Sequence, residues 1–198
     1  MARNIQPVLK RCRTLGISPS IMGYAKESNR NPGAQKRTKK SEYALQLTEK
    51  QKVKFIYGVL ERQFRLYYEK ASKMPGKTGE NLLSLVERRL DNVVFRLGFA
   101  MTRAEARQLV NHGHFTVDGH KVDIPSFLVK PGMIVALKES SRSLEKIKAN
   151  LESNSFRQPP KWMEFDAANF CAKIASVPTR EEIDMPVQEQ MIVELYSK

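Results

Sequence analysis

The polar residues with the most regular spacing lie in the stretch 88–121. Arg103 and Arg107 are four residues apart, so they share one face of a helix, and Gln108 and Asn111 adjoin that face. Such a face offers cations and amide donors, which suit the phosphates and shape of a folded nucleic acid and carry no base code. The candidate contact residues in this stretch are Arg88, Arg89, Arg103, Arg107, Gln108, Asn111, His112, His114 and Lys121.

A capped helix and a tight hairpin are predicted to position these side chains. Thr102 and Glu105 have capping-box spacing, which predicts a helix that begins at Arg103. Gly113 suits the left-handed position that ends a helix. Asp118-Gly119 predicts a hairpin turn, because both residues tolerate positive φ. The alternative for the arginine at the start of the stretch, Arg88, is an ion pair with a nearby carboxylate such as Asp91.

Two further cationic sets precede this stretch. Lysine and arginine neutralise phosphates and release condensed counterions, so both sets are candidate RNA contacts. The alternatives are a solubilising tail for the first set and an ordinary amphipathic helix for the second. Tyr67 and Tyr68 could stack on bases, but they fall on an apolar stripe, which favours the core. The first set is Arg3, Lys10, Arg11, Arg13, Lys26, Arg30, Lys36, Arg37, Lys39 and Lys40, and the second is Lys50, Lys52, Lys54, Arg62 and Arg65.

Charge is unevenly distributed along the chain. The formal net charge is +13 over 198 residues. Residues 1–54 contain thirteen Lys and Arg against three Asp and Glu, whereas residues 151–198 contain five against eight. A basic front favours a polyanionic partner, either nucleic acid or an acidic membrane. No apolar run approaches the length of a membrane span, and Cys12 and Cys171 form no disulfide pattern, so we expect a soluble cytoplasmic protein.

The apolar periodicity predicts an α+β chain. Helices are expected over 7–15, from Thr48 with a break at Gly58, from Thr78 or Gly79, from Asp91 to Gly98, and over 140–151. Strands are expected over 133–137, 162–165 and 170–175, with Trp162 as a partly buried anchor. The chain from Pro178 onward is expected to be irregular.

Several stretches together carry a family pattern. They are SEYALQLTEKQK (41–52), YGVLERQFR (57–65), GENLL (79–83), ERRLDNVVFRLG (87–98), AEARQLVNHGH (104–114), VDIPS (122–126) and IVELYS (192–197). These stretches span nearly the whole chain, which resembles the bacterial small-ribosomal-subunit protein four family. The helix-hairpin unit alone is less specific, because pseudouridine synthases and tyrosyl-tRNA synthetases also contain it.

The resemblance implies a domain organisation. Residues 1–45 would form a basic extended N-terminus. Residues 46–90, completed by 179–198, would form a mostly helical domain. The inserted RNA-binding domain, 91–178 with its core at 88–152, would consist of helices packed on a small antiparallel β-sheet.

The resemblance also implies a function. The chain would be a structural constituent of the 30S subunit that binds the 5′ domain of 16S rRNA, nucleates assembly of the subunit body and contributes to translational accuracy. Expected partners are 16S rRNA, small-subunit ribosomal protein five, and mRNA near the channel through which it enters the ribosome, where 36–40 would contact it. The acidic tail is either a solvated face or a contact with a basic neighbour. Repression of its own mRNA is compatible with this role.

Neither a metal nor a catalytic site is expected. Many family members carry four zinc-binding cysteines in their first forty residues, but here Leu9 stands at the first position and only Cys12 remains, so the chain resembles the zinc-free form. His112 and His114, without a nearby cysteine, favour surface or RNA contact over a metal. The sequence has no Walker loop, Gly-x-Ser-x-Gly, His-Glu-x-x-His or Cys-x-x-Cys motif, so no cofactor or small-molecule substrate is expected. An RNA-modifying enzyme, the alternative, would need a large catalytic β domain.

Overall fold

The computed structural model describes residues 7–26 and 41–197. The chain forms two compact units, one from residues 1–79 and 185–198 and the other from residues 80–184. Helices and one antiparallel sheet confirm the predicted α+β class. The second unit, residues 80–184, includes residues 91–178, the range expected for the inserted domain.

Eight α-helices and five strands lie in the described part of the chain. In chain order they are α1 (Val8–Leu15), α2 (Glu42–Tyr57), α3 (Glu61–Ser72), α4 (Thr78–Glu87), α5 (Leu90–Arg96), α6 (Arg103–Asn111), β1 (Phe115–Val117), β2 (His120–Lys121), β3 (Ile134–Leu137), α7 (Glu145–Ser153), β4 (Met163–Asp166), β5 (Cys171–Ile174) and α8 (Glu189–Ser197). Short 3₁₀ turns cover Pro19–Met22 and Glu139–Ser141. None of the described helices is both long and apolar enough to span a bilayer.

Helix α2 begins earlier than its sequence predicts. The Ser41 side chain accepts a hydrogen bond from the Ala44 backbone N at 3.3 Å and caps the helix. The start predicted at Thr48 is wrong, because Thr48 lies inside the helix and its hydroxyl donates to the Ala44 carbonyl at 2.7 Å. The predicted break at Gly58 is confirmed, since Gly58 adopts φ 64° and ends α2.

The end of the chain is helical, so the irregular structure expected there is wrong for 189–197. Helix α8 packs against α2 and buries Ile192 completely. The Tyr196 ring stacks on Tyr68 with centroids 4.6 Å apart, and Tyr67 is buried. Tyr67 therefore belongs to the core of the first unit, and Tyr68 is half-buried against Tyr196. Tertiary packing stabilises α8, which is the usual source of stability for a short helix.

The sheet of the second unit has the strand order β2-β1-β3-β5-β4 and is antiparallel throughout. Phe115 and Val117 of β1 are buried, as are Val135 and Leu137 of β3, so one face of the sheet covers the core. The predicted hairpin and strands are confirmed. The helix expected over 140–151 is instead the 3₁₀ turn followed by α7.

The core of the second unit joins α5, α6 and α7 to the buried face of the sheet. Trp162 is 0 % exposed, so it is fully buried and not the partly buried anchor that the sequence predicts. The helix expected from Asp91 begins one residue earlier, at Leu90, and Arg89 occupies its N-cap. Asp91 lies in the first turn, where its carboxylate has another use.

Candidate RNA-binding interface

Both ends of helix α6 are fixed by local hydrogen bonds. The Thr102 hydroxyl accepts from the Glu105 backbone N at 3.2 Å, and the Glu105 carboxylate accepts from the Met101 backbone N at 2.9 Å. At the other end Gly113, with φ 73°, donates its N–H to the Val110 carbonyl at 2.8 Å. The predicted capped helix is confirmed, and its caps determine where its side chains point.

The polar side chains of α6 and the neighbouring strands form what we call the α6–hairpin face. The Lys121 side chain packs directly over Gly113 at the end of α6. The contact is so close that a Cβ at position 113 would lie 2.2 Å from Lys121 Cε. The His112 and His114 rings lie nearby, with centroids 6.1 Å apart. Gln108, His112 and Lys121 are exposed. The residues of this face are Arg107, Gln108, Asn111, His112, His114, Lys121 and Lys138.

Lys138 is a member of this face that the sequence reasoning missed. The register pairs Phe115 with Leu137, so the backbone N of the next residue, Lys138, donates to the His114 carbonyl at 2.9 Å. Pairing the predicted strand 133–137 with the predicted hairpin would have placed Lys138 beside His114.

His114 forms a hydrogen bond on this face, and its surroundings disfavour the charged imidazolium. Burial, followed by the charges of His112 and Lys138, lowers the pKa of His114 below its ordinary value of 6.5. Its Nδ1 lies 2.9 Å from the Ser141 Oγ. His114 therefore contributes shape and a ring nitrogen to the face.

Asp91 holds two of the predicted contact arginines. Its carboxylate accepts from Arg89 Nη2 at 2.6 Å and from Arg107 Nη1 at 3.3 Å. The Arg89 side chain is only 4 % exposed, so we remove it from the candidate contacts, whereas Arg107 is 28 % exposed and stays at the edge of the face. The alternative pairing of Arg88 with Asp91 is wrong, because Arg88 Nε donates to the Val129 carbonyl at 2.8 Å.

Arg103 is also buried and serves as an internal support. Its Nε donates to Asn92 Oδ1 at 2.8 Å, and its guanidinium lies 4.2 Å from the centre of the Phe95 ring. Asn92 Nδ2 in turn donates to the carboxylate of Glu87, which also accepts from Arg96 Nε at 2.9 Å. Since Arg103 is 6 % exposed, its assignment as an RNA contact is replaced by a role in anchoring the start of α6.

In the first unit, Glu61 forms ion pairs with Lys50 and Lys54, two lysines that the sequence analysis predicts to contact RNA. Lys50 Nζ lies 2.9 Å and Lys54 Nζ 2.5 Å from its carboxylate, and the Tyr196 hydroxyl donates to it at 2.9 Å. Partial burial opposes ionisation, but the hydrogen bonds from Lys54, Lys50 and Tyr196 outweigh it and lower the pKa of Glu61 to about 2. This cluster, which we call the Glu61 cluster, joins α2, α3 and α8.

The remaining cations of α2 and α3 differ in how they are held. Lys52 Nζ lies 2.6 Å from Glu49, which is buried and also accepts from the Gln188 backbone N at 3.1 Å. Arg62 is exposed, and Arg65 makes an exposed ion pair with Glu69, one helical turn along, which contributes little to stability. Arg62 and Arg65 are therefore the better placed of this set for an outside partner.

The N-terminal set is only partly described. Lys10, Arg13 and Lys26 are exposed, and Arg11 Nη2 donates to Gln51 Oε1 at 3.4 Å. Burial raises the pKa of the Cys12 thiol, which favours its neutral form. No group of three metal-ligating side chains occurs in 7–26 or 41–197. Six predicted contacts of this set lie outside the described residues: Arg3, Arg30, Lys36, Arg37, Lys39 and Lys40.

Comparison with known proteins identifies the family. Residues 3–87 match the Ribosomal protein S4/S9 N-terminal domain, and residues 88–135 match the S4 domain, which contains most of the α6–hairpin face. The chain is 54 % identical to the Small ribosomal subunit protein uS4 of Agathobacter rectalis and of Lachnospira eligens over 198 residues, and 54 % identical to that of Clostridioides difficile over 208. Each alignment covers 100 % of both chains. The chain therefore belongs to the uS4 family of structural, non-enzymatic proteins of the small ribosomal subunit.

Proposed function

We propose that this chain binds ribosomal RNA of the small subunit through the α6–hairpin face and the N-terminal cations. The observation that carries this proposal is the sorting of polar residues within the S4 domain. Gln108, His112 and Lys121 are exposed on one face, while Arg89 and Arg103 are buried beneath it. The buried arginines preorganise the face, which lowers the entropy lost when RNA binds.

The chemistry of the face favours recognition of RNA shape and backbone over base-specific recognition. Lysines neutralise phosphates, and the amides of Gln108 and Asn111 can donate to phosphate or 2′-hydroxyl oxygens. Each phosphate neutralised adds about 0.7–0.9 to the slope of log affinity against log salt. Binding should therefore weaken steeply as the salt concentration rises. A ribosomal protein of this kind works in the cytoplasm.

The finer assignments rest on the family resemblance. We propose that the RNA is the 5′ domain of 16S rRNA, and that clamping its mutually repelling helices nucleates assembly of the subunit body. A contribution to translational accuracy, contacts with small-subunit protein five and with mRNA near the channel through which it enters the ribosome, and repression of the chain's own mRNA belong to the same proposal.

A filter-binding titration tests the proposal directly. The full chain is titrated with 5′-domain rRNA and with bulk tRNA at several salt concentrations. We expect tighter binding to the 5′ domain and a linear fall of log affinity with log salt. Equal binding to the two RNAs, or an affinity that salt does not change, would contradict it.

A further inference from the structure

The loop between α7 and β4, residues 154–161, carries an aromatic side chain that lies outside the hydrophobic core. Phe156 is 75 % exposed, the highest value among the large apolar side chains that the structure describes. Exposing a phenylalanine forgoes the stabilisation that burial gives. A ligand that covers the ring would recover part of that stabilisation.

The loop is fixed at both ends. Asn154 is buried, and its Nδ2 donates to the Gly98 carbonyl at 2.9 Å. At the other end Trp162 is fully buried, and the Met163 backbone N donates to the Pro160 carbonyl at 2.9 Å. Phe156 is thus presented between two anchors, so little conformational entropy is lost when a ligand stacks on it.

Arg157 supports the exposed ring from within. Its guanidinium carbon lies 5.0 Å from the centre of the Phe95 ring and 5.8 Å from that of Phe156. Its Nη1 is buried and has no hydrogen-bond partner among the described residues. Burial and the nearby charge of Arg96 lower the pKa of Arg157, so an anion here would be favourable.

The composition of the loop selects a nucleotide over a protein. Residues 154–161 contain Arg157 and Lys161 and no carboxylate, and the neighbours Ser155 and Gln158 are polar and exposed. A protein partner would need a wider apolar patch than one ring. A nucleic-acid base needs only one aromatic surface with a cation beside its phosphate.

We infer that Phe156, with Arg157 behind it, is a stacking site for an unpaired base of the bound RNA. The site adds a contact outside the α6–hairpin face and rests on the proposed function, since the base belongs to the same RNA. Stacking tolerates any base, because every base offers a π surface. The site therefore adds affinity for unpaired nucleotides without a sequence code.

Three variants of the full chain test the site: Phe156→Ala, Phe156→Trp and, as an exposed apolar control in the same unit, Val177→Ala. Loss of one stacked base should weaken binding to 5′-domain rRNA about 5- to 150-fold in Phe156→Ala without changing the salt slope. Val177→Ala should bind as the unaltered chain does. All three should melt within a few degrees of it, because both positions are exposed.

The tryptophan fluorescence of Phe156→Trp reports on stacking directly and would not change if position 156 had only a structural role. We expect this variant to bind within about twofold of the unaltered chain and its tryptophan emission to be quenched by rRNA, whereas the buried Trp162 of the unaltered chain should respond little. Unchanged affinity in Phe156→Ala, or no quenching in Phe156→Trp, would overturn the stacking site. If the unaltered chain itself does not prefer 5′-domain rRNA, the proposed function fails instead, so the two failures are distinguishable.

Discussion

Two cation-rich regions of this chain look alike in sequence and differ in structure. In the Glu61 cluster, Lys50 and Lys54 point at a carboxylate and have side chains only 12 % and 15 % exposed. On the α6–hairpin face, Lys121 is exposed and crosses a glycine. The difference shows that basic residues can either hold helices together or stay available to an anionic partner, and that the location of carboxylates decides between the two.

The largest effect is expected from the buried support of the α6–hairpin face. Asp91→Ala removes the carboxylate that Arg89 and Arg107 contact. Breaking a buried ion pair of this kind should lower the free energy of unfolding by about 3–5 kcal/mol. Urea denaturation measures the loss, with the exposed Glu152→Ala as the control, expected within about 0.5 kcal/mol of the unaltered chain. A loss below about 1 kcal/mol for Asp91→Ala would show that the support is not needed.

The next largest effect is expected from replacing Gly113, and a second glycine variant separates the cost of backbone strain from displacement of the Lys121 side chain. Gly113→Ala and Gly132→Ala both place alanine at positive φ, which should cost about 1–2 kcal/mol in each. Only at Gly113 does the new methyl group meet the Lys121 side chain. Gly113→Ala should therefore also weaken rRNA binding, measured by filter binding, whereas Gly132→Ala should not. Equal RNA affinities would remove Lys121 from the interface.

A single lysine of the face should change the salt dependence of binding. Lys121→Ala should reduce the slope of log affinity against log salt by about 0.7–0.9, the value of one phosphate contact. The matched control is Lys173→Ala, an exposed lysine of β5 in the same unit. A filter-binding series over salt gives both slopes, and identical slopes would refute a phosphate contact by Lys121.

The smallest effect concerns the Glu61 cluster and pH. The pKa of Glu61 is lowered from 4.5 to about 2 in the folded chain, so its contribution to stability is present above about pH 4.5 and is lost as pH falls towards 2. Because the side chain is 49 % exposed, we expect under about 1 kcal/mol. Urea denaturation from pH 6 to pH 2 should show this loss in the unaltered chain and not in Glu61→Gln. The same pH profile in both chains would contradict it.

The elements that sequence patterns predicted well are those governed by neighbours in the chain. The capping box at Thr102, the left-handed Gly113 and the Asp118-Gly119 turn each act within a few residues, and each lies where it was expected. The start of α2 was missed because Thr48 and Ser41 both resemble caps. Helix α8 was missed because its stability comes from packing on α2.

The functional roles of single arginines could not be predicted in the same way. Arg89 and Arg103 lie in a stretch rich in candidate contact residues, yet they are buried and donate hydrogen bonds to Asp91 and Asn92. The contact of Arg103 with Asn92 depends on how α5 packs against α6, which no local pattern encodes, whereas the contact of Arg89 with Asp91 joins residues only two apart. Lys138 was missed for the related reason that strand pairing places it next to His114.

The most direct test of this division of roles is the salt dependence of 5′-domain rRNA binding in two double variants. One replaces Lys121 and Lys138 with alanine, and the other replaces Lys50 and Lys54. The account predicts that the first lowers the slope of log affinity against log salt by about 1.4–1.8 and that the second changes it by less than about 0.5. A larger change in the Lys50 and Lys54 variant than in the Lys121 and Lys138 variant would contradict it.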